Sequence, residues 1–238
     1  MSGWKSELRR VLGRNRRRVF ECMGSSRYSR PGLDGLDRRI ERWVDFDQGC
    51  FVEAGANDGF DQSNTYYLAK FRGWRGLLIE PVPTLYQQCV RTRPESTVVN
   101  AALVNFGYEE ATVGIHPAGL MSMTEGSWTD AATLAHRLQM ARELQDLEPQ
   151  EFIWVPAKSL SQIIDEAKLA RPIDLLCLDV EGAEITALQG LDRHTPRFIC
   201  VECRDQPKVA AVLGDRYEIV EVLTDAGDYQ DVLFRLRA

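Results

Sequence analysis

Apolar positions recur along this chain with two periods, near two and near 3.6, and the switches between them mark the elements. Strand-length apolar runs fall at residues 50–54, 77–80, 98–103, 112–115, 173–179, 198–202, 217–223 and 232–236. Helical spacing occupies residues 34–46, 64–72, 84–91, 131–144, 160–167 and 183–191. The last two strands flank a turn over residues 225–228, which predicts a closing hairpin. Strand–helix alternation that ends in a hairpin predicts an α/β fold with an open, mostly parallel sheet and an antiparallel edge strand. Residues 116–150 interrupt the alternation with a Gly/Met/Ser segment and a helical stretch, and are expected to cap a substrate site. Within them, Gly119, Leu120, Met121, Ser122 and Met123 suit either an adaptable apolar wall or a loop packed on the core.

The first 32 residues stand apart from the domain that occupies residues 33–238. Trp4, Leu8, Val11 and Leu12 sit at helical spacing beside Arg9, Arg10, Arg14, Arg16, Arg17 and Arg18, and breaks follow at Gly24 and at Pro31-Gly32. A basic helix of this kind either docks on the domain or a second subunit, the preferred reading, or makes a peripheral contact with a membrane surface or acidic partner. Up to Arg42 the chain holds 12 basic and 5 acidic residues; the remainder holds 17 and 30. An acidic body argues against nucleic acid as the main partner, because phosphate binding needs a cationic surface. No apolar run is long enough to span a membrane. With no export signal and no cysteine framework among six cysteines, reduced thiols in the cytoplasm are expected. Cys200 and Cys203 have C-x-x-C spacing but lie on a strand, where residues three apart face opposite ways.

Candidate chemistry gathers at strand ends. Phe51, Val52, Glu53 and Ala54 lead into Gly55, Ala56, Asn57, Asp58 and Gly59. The glycines permit a tight turn and close approach of a ligand, but the spacing is not the G-x-G-x-x-G of dinucleotide enzymes. Glu53 would repel phosphate and accept a hydrogen bond from an ammonium group, which favours an amino-acid-like ligand. Glu80 ends the second strand ahead of Pro81, where a carboxylate suits two ribose hydroxyls. Its side chain is expected at the pocket's rim. Asn100 and Ala101 close the third strand, where they would flank an adenine. Asp179, Glu181 and Glu184 bunch at the end of a buried run, and Glu202 ends the next strand. Acids in the first turn of a helix are favoured by its dipole, which accounts for Glu184. Asp179, Glu181 and Glu202 instead point to a general base or to a divalent ion such as Mg²⁺ or Mn²⁺. His116, His136 and His194 are isolated in sequence and form the reserve of bases.

These motifs, taken in order with Ser63-Asn64-Thr65 and Gly73-Trp74, resemble the FkbM-type methyltransferases over roughly residues 45–238. The resemblance implies the class I, Rossmann-like methyltransferase fold: three α/β/α layers around a seven-stranded sheet. It implies S-adenosylmethionine as cofactor and O-methylation of a hydroxyl on a sugar, glycan or natural product. N-methylation of an amine, or cofactor binding without catalysis, are the alternatives. It places Glu53, Gly55, Ala56, Asn57, Asp58 and Gly59 around the methionine part of the cofactor, with Ser63 and Asn64 nearby. Glu80 and Pro81 fall at the ribose, Asn100 and Ala101 at the adenine, and Asp179 beside the transferred methyl. The family often has Asp where this chain has Glu53.

Overall fold

A computed structural model describes residues 3–127 and 131–237. Residues 128–130 of the expected cap lie outside the described residues, as do the side chains of residues 1–10, including Trp4 and Leu8. The chain opens with helix α1 (Gly3–Cys22) and, after a 3₁₀ turn, α2 (Leu36–Glu41). There follow β1 (Cys50–Ala54), α3 (Tyr66–Phe71), β2 (Arg75–Ile79), α4 (Pro83–Thr92), β3 (Thr97–Val99) and β4 (Ala102–Val104). The middle of the chain forms β5 (Thr112–His116), β6 (Met123–Thr124), α5 (Ala131–Gln145), β7 (Ile153–Ser159) and α6 (Leu160–Ala167). The rest is β8 (Leu175–Leu178), α7 (Glu184–Gln189), β9 (Phe198–Cys203), α8 (Gln206–Leu213), β10 (Tyr217–Asp225) and β11 (Gln230–Leu236).

Seven strands form one sheet in the order β10-β11-β9-β8-β1-β2-β3. Five of them run parallel from β9 to β3, whereas β11 is antiparallel to both β9 and β10. The antiparallel strand therefore lies one place in from the edge rather than at it. Alternate residues serve opposite faces. Val52, Leu77, Leu176, Ile199 and Val232 pack on one side with Leu160, Ile163, Leu188 and Val209 from α6, α7 and α8. On the other side Phe51, Leu78, Leu175, Phe198 and Leu233 pack against Leu36 and Ile40 of α2, Leu68 of α3 and Trp74. Period-two strands with two apolar faces need helices on both, and the three layers follow. Cys203 belongs to the first face and Cys200 to the second, so the C-x-x-C pair is split by the sheet.

The run at residues 98–103 is not one strand. After Val99 the chain leaves the main sheet, and Ala102 begins a second, four-stranded sheet ordered β4-β7-β5-β6. Asn100 fixes the departure: its amide donates to the carbonyls of Glu80 (2.8 Å) and Pro81 (2.7 Å). Val82, Val104, Val113, Ile115 and Val155 form the small core of this sheet. The described residues of the 116–150 segment hang from it. Gln145 of α5 accepts from the Leu120 N–H (2.9 Å) and donates to the Ala118 carbonyl (2.9 Å), tying helix to loop.

The N-terminal helix docks on the domain. Arg17 is buried, its guanidinium 3.6 Å from the Phe60 ring centroid. Glu21 accepts from Tyr66 Oη (2.9 Å) and Ser29 Oγ (2.7 Å). No helix among the described residues is long and apolar enough to cross a membrane.

Candidate active site

The chain runs outward from β1 through β2 to β3 and later returns to place β8 on β1's other side. A crevice at the C-terminal strand ends is the consequence of that reversal. Gly55 makes it narrow. Its φ is +81°, and a Cβ there would lie 1.7 Å from the Asp179 carbonyl oxygen, so the loops after β1 and β8 touch only because a glycine stands at this position. The crevice holds about 830 Å³ of space not filled by atoms, open solvent included. Glu53, Gly55, Asn57, Asn64, Glu80, Pro81, Ala101, Asp179 and Glu181 line it among the residues expected from sequence.

Glu53 is buried and heavily engaged. One oxygen accepts from Ser63 Oγ (2.9 Å) and Thr65 Oγ1 (2.6 Å), the other from the Asn64 N–H (2.7 Å). Arg93, itself buried, stands 3.7 Å away and donates to Ser63 Oγ, Thr65 Oγ1 and the Gly59 carbonyl. A carboxylate has about four lone-pair positions, so one remains for a ligand's ammonium group. Burial lowers the Arg93 pKa, and the charge of Glu53 opposes that fall.

Glu80 is not at the rim: it is 4% exposed. Its oxygens accept from the N–H groups of Asn57 (2.8 Å) and Val82 (2.9 Å), which leaves one lone pair on each. Burial pushes its pKa up to about 7, and the two N–H donors hold it from rising further. Asn57 adopts a left-handed φ of 49° to deliver its N–H.

Several expected residues shape the cavity without lining it. Asp58 accepts from the Phe60 and Asp61 N–H groups (both 2.8 Å) and so caps a turn. Ala56 and Gly59 close the same loop through a 2.8 Å backbone bond. Ser63 serves Glu53, and Asn100 holds the loop after β2. Gln62, Leu103, Gly119, Leu120, Ser122 and Thr124 line the cavity although sequence reading did not assign them to it. Within the Gly119–Met123 segment, Leu120 and Ser122 line the cavity while Met123 is fully buried.

A second cavity adjoins the first and shares Gln62, Asn64, Leu120, Asp179 and Glu181 with it. Its polar wall holds five carboxylates, Asp179, Glu181, Glu202, Asp228 and Asp231, and two arginines, Arg137 and Arg204. Leu33, Leu36, Met121, Met140 and Leu144 supply an apolar wall. Arg204 was not foreseen. It reaches Glu202 at 3.0 Å and Glu181 at 3.2 Å, bridging the two acids. Glu184 accepts from the Val180 (3.1 Å) and Gly182 (3.0 Å) N–H groups and staples the turn into α7.

Crowded acids disfavour one another's ionisation. Burial, then the charges of Glu181, Glu184 and Asp231, drive the Asp179 pKa well up, with Arg204 opposing. Glu202 is raised to about 9 by burial and then Asp179, and Glu181 to about 7 by burial and then Glu202. The cluster therefore retains protons at neutral pH. Among the described residues, the acids whose ligand atoms lie within 4.8 Å of one another are Asp179, Glu184 and Glu202, so the set that could hold an ion has Glu184 in place of the expected Glu181. The reserve bases are elsewhere. His116 packs on Phe152, His194 pairs with Asp165 at 2.8 Å, and His136 is exposed on α5. None of the three lines either cavity.

The methyltransferase FkbM domain model matches residues 53–230. The chain belongs to the FkbM methyltransferase family. Its seven-stranded sheet, helix-covered on both faces, is the class I methyltransferase fold expected of that family. A fungal relative named Methyltransferase 1, from Beauveria bassiana (strain ARSEF 2860), is 26% identical over 153 residues, 61% of this chain and 59% of that protein. The chain thus matches well under two thirds of that relative's length. Among solved structures it is similar to a TehB-like S-adenosylmethionine-dependent methyltransferase of Corynebacterium glutamicum, with 12% identity, 95% of this chain and 99% of that one covered, and a TM-score of 0.43. It is also similar to precorrin-6y C5,15-methyltransferase of Geobacter metallireducens GS-15, with 10% identity, 86% and 89% covered, and a TM-score of 0.42.

Proposed function

We propose that this FkbM-family chain transfers a methyl group from S-adenosylmethionine to a hydroxyl of a small-molecule, sugar or glycan acceptor in the cytoplasm. The observation that carries the reading is the junction of the two cavities at Asp179 and Glu181. The lining of the first cavity supports its assignment to the cofactor. Buried Glu80 retains two lone pairs for a ribose, Ile79, Ala101 and Leu103 give an adenine an apolar slot beside Pro81, and Glu53 retains one position for an ammonium group. The cofactor supplies an electrophilic methyl carbon that is already activated, so the protein's task is alignment and proton removal.

The second cavity receives the acceptor, with the 116–150 segment as its cover. Asp179 and Glu202 lie where a hydroxyl can donate to whichever of the two is ionised and pass its proton to the pair. Because burial and mutual repulsion hold protons on the cluster, turnover should rise with pH as that ionised form is populated. Arg204 holds Glu202 and Glu181 in place and partly offsets their charge. An ion held by Asp179, Glu184 and Glu202 would acidify the same hydroxyl. Five carboxylates against two arginines in this cavity also suit an amine acceptor. The test is methyl transfer from labelled cofactor to a panel of nucleotide sugars, glycosides and amines, with and without chelator. Asp179→Asn should leave S-adenosylhomocysteine binding intact and lower turnover by roughly 10²–10⁴-fold. Near-normal turnover of that variant on a verified acceptor refutes the role given to Asp179.

A further inference from the structure

Among the described side chains of helix α1, one face docks on the domain and another faces outward, with Arg16 at its border stacked 4.1 Å over the Tyr28 ring. At about 100° per residue, Arg17, Phe20 and Glu21 fall on one side, and these are the residues that dock. Arg17 lies over Phe60, Glu21 bonds to Tyr66 and Ser29, and Phe20 meets Tyr28 edge-on at 4.8 Å. Val11, Leu12 and Val19 project from the other side, and Met23 continues their row just past the helix end. Their exposures are 38%, 59%, 57% and 65%. Arg14 and Arg18 flank this apolar row along one border and Arg16 along the other, all three exposed. Six of the ten residues at 9–18 are arginine.

We infer that this outward face of α1 binds an anionic lipid surface and holds the enzyme at the membrane. Two features select that occupant. A nucleic acid would use the arginines but bury none of the apolar row, whereas a lipid interface takes apolar side chains at acyl depth and arginines at the headgroups. The body beyond Arg42 carries 17 basic and 30 acidic residues, so an anionic surface repels it and contact is confined to the helix. A second copy of the chain could offer acidic residues to the arginines, and the experiment below distinguishes that case. The inference is independent of what the second cavity methylates.

The full chain is co-sedimented with phosphatidylcholine vesicles containing one third phosphatidylglycerol, and with phosphatidylcholine alone. Binding to the anionic vesicles only, weakened at high salt, is expected. Leu12→Glu with Val19→Glu should abolish it, and Arg14→Gln with Arg18→Gln should weaken it by roughly 30-fold. S-Adenosylhomocysteine affinity should stay at the wild-type value in both double variants, because the altered side chains point away from the docked face. It also reports folding, so if the first pair fails it, the second pair decides. Absence of wild-type sedimentation, or binding undiminished in a folded variant, overturns the inference. So does wild-type self-association lost in the variants without vesicle binding, which would make the face a contact between copies.

Discussion

Glu80→Gln probes the cavity most directly, because the substitution keeps the side chain's shape and removes only its charge and one acceptor. In the wild type the two oxygens accept from the Asn57 and Val82 N–H groups at 2.8 and 2.9 Å. A glutamine carbonyl satisfies one of these and turns its NH₂ toward the other, at a cost of about 1–3 kcal/mol for the unpaired buried donor. An opposing effect arises from the pKa. Glu80 rises from 4.5 to about 7 on folding, so its ionisation is disfavoured in the folded state by about 3 kcal/mol. A carboxyl raised in this way gives its full stabilisation below its unfolded pKa and loses it as pH rises through the folded value. Wild type should therefore lose up to about 3 kcal/mol more than the variant between pH 4.5 and pH 8, and urea denaturation at those two pH values measures the difference. Subtracting the variant removes the parallel titrations of Glu181 and Glu202. Cofactor binding gives a second readout. Two ribose hydroxyls donating to Glu80 favour its carboxylate, so wild-type affinity for S-adenosylhomocysteine should rise with pH through about 7, with uptake of the ligand releasing a proton. The variant should bind more weakly by about 1.5–3 kcal/mol at pH 8 and show no such rise. Equal affinity of the two proteins in calorimetry at pH 8 would refute the placement of the ribose at Glu80.

Two further variants test the supports of the site. Arg93→Met leaves Glu53 charged and buried without its guanidinium and should cost about 3–5 kcal/mol in urea denaturation, with part of the loss recovered in the Arg93→Met/Glu53→Gln double variant; a cost below about 1 kcal/mol would show that Arg93 does not sustain Glu53. Arg17→Ala should free the end of α1 from Phe60, lower stability by about 1–2 kcal/mol and weaken S-adenosylhomocysteine binding by roughly fivefold, since Phe60 and Tyr66 border the Ser63–Thr65 loop; affinity equal to wild type would leave α1 uncoupled from the cofactor cavity.

The main sheet was legible because its strands are apolar on both faces and end in acids or glycines that core packing does not explain. The 160–167 helix was read to its observed bounds, where Ser159 supplies a cap to the Gln162 N–H. Of the second sheet, only β5 was legible as a separate strand, at residues 112–115. Its strand β7 carries Pro156 in mid-run, a residue that argues against a strand, and β4 continues an apolar run without a visible break. Helix α8 went unassigned although Asp205 followed by Pro207 is a legible start, and Asp205 does cap the Lys208 N–H at 3.1 Å. In the site, sequence could name the acids but not their partners. Arg93 lies 40 positions after Glu53, on no motif, and Arg204 is hidden among charged neighbours. The rim position expected of Glu80 failed because sequence does not reveal that the Asn57 and Val82 N–H groups fold over the carboxylate.

Asp231 shows how topology completes what strand ends begin. A parallel strand presents its last residues at the crevice, and on that rule β1, β2, β8 and β9 supply Glu53, Glu80, Asp179 and Glu202. β11 runs the opposite way, so its first residues arrive at the same edge, and Asp231 pairs in register with Glu202. Placing this strand between β9 and β10 therefore adds an acid from the far end of the chain to the cluster. At the sheet's outer edge β11 would have no neighbour beyond it. In its actual place it has β10 beyond it, and Asp231 is 8% exposed. Burial raises the Asp231 pKa, and its charge in turn raises those of Asp179 and Glu202. The proton-retaining character of the site is thus a property of the antiparallel insertion as much as of the motif at Asp179.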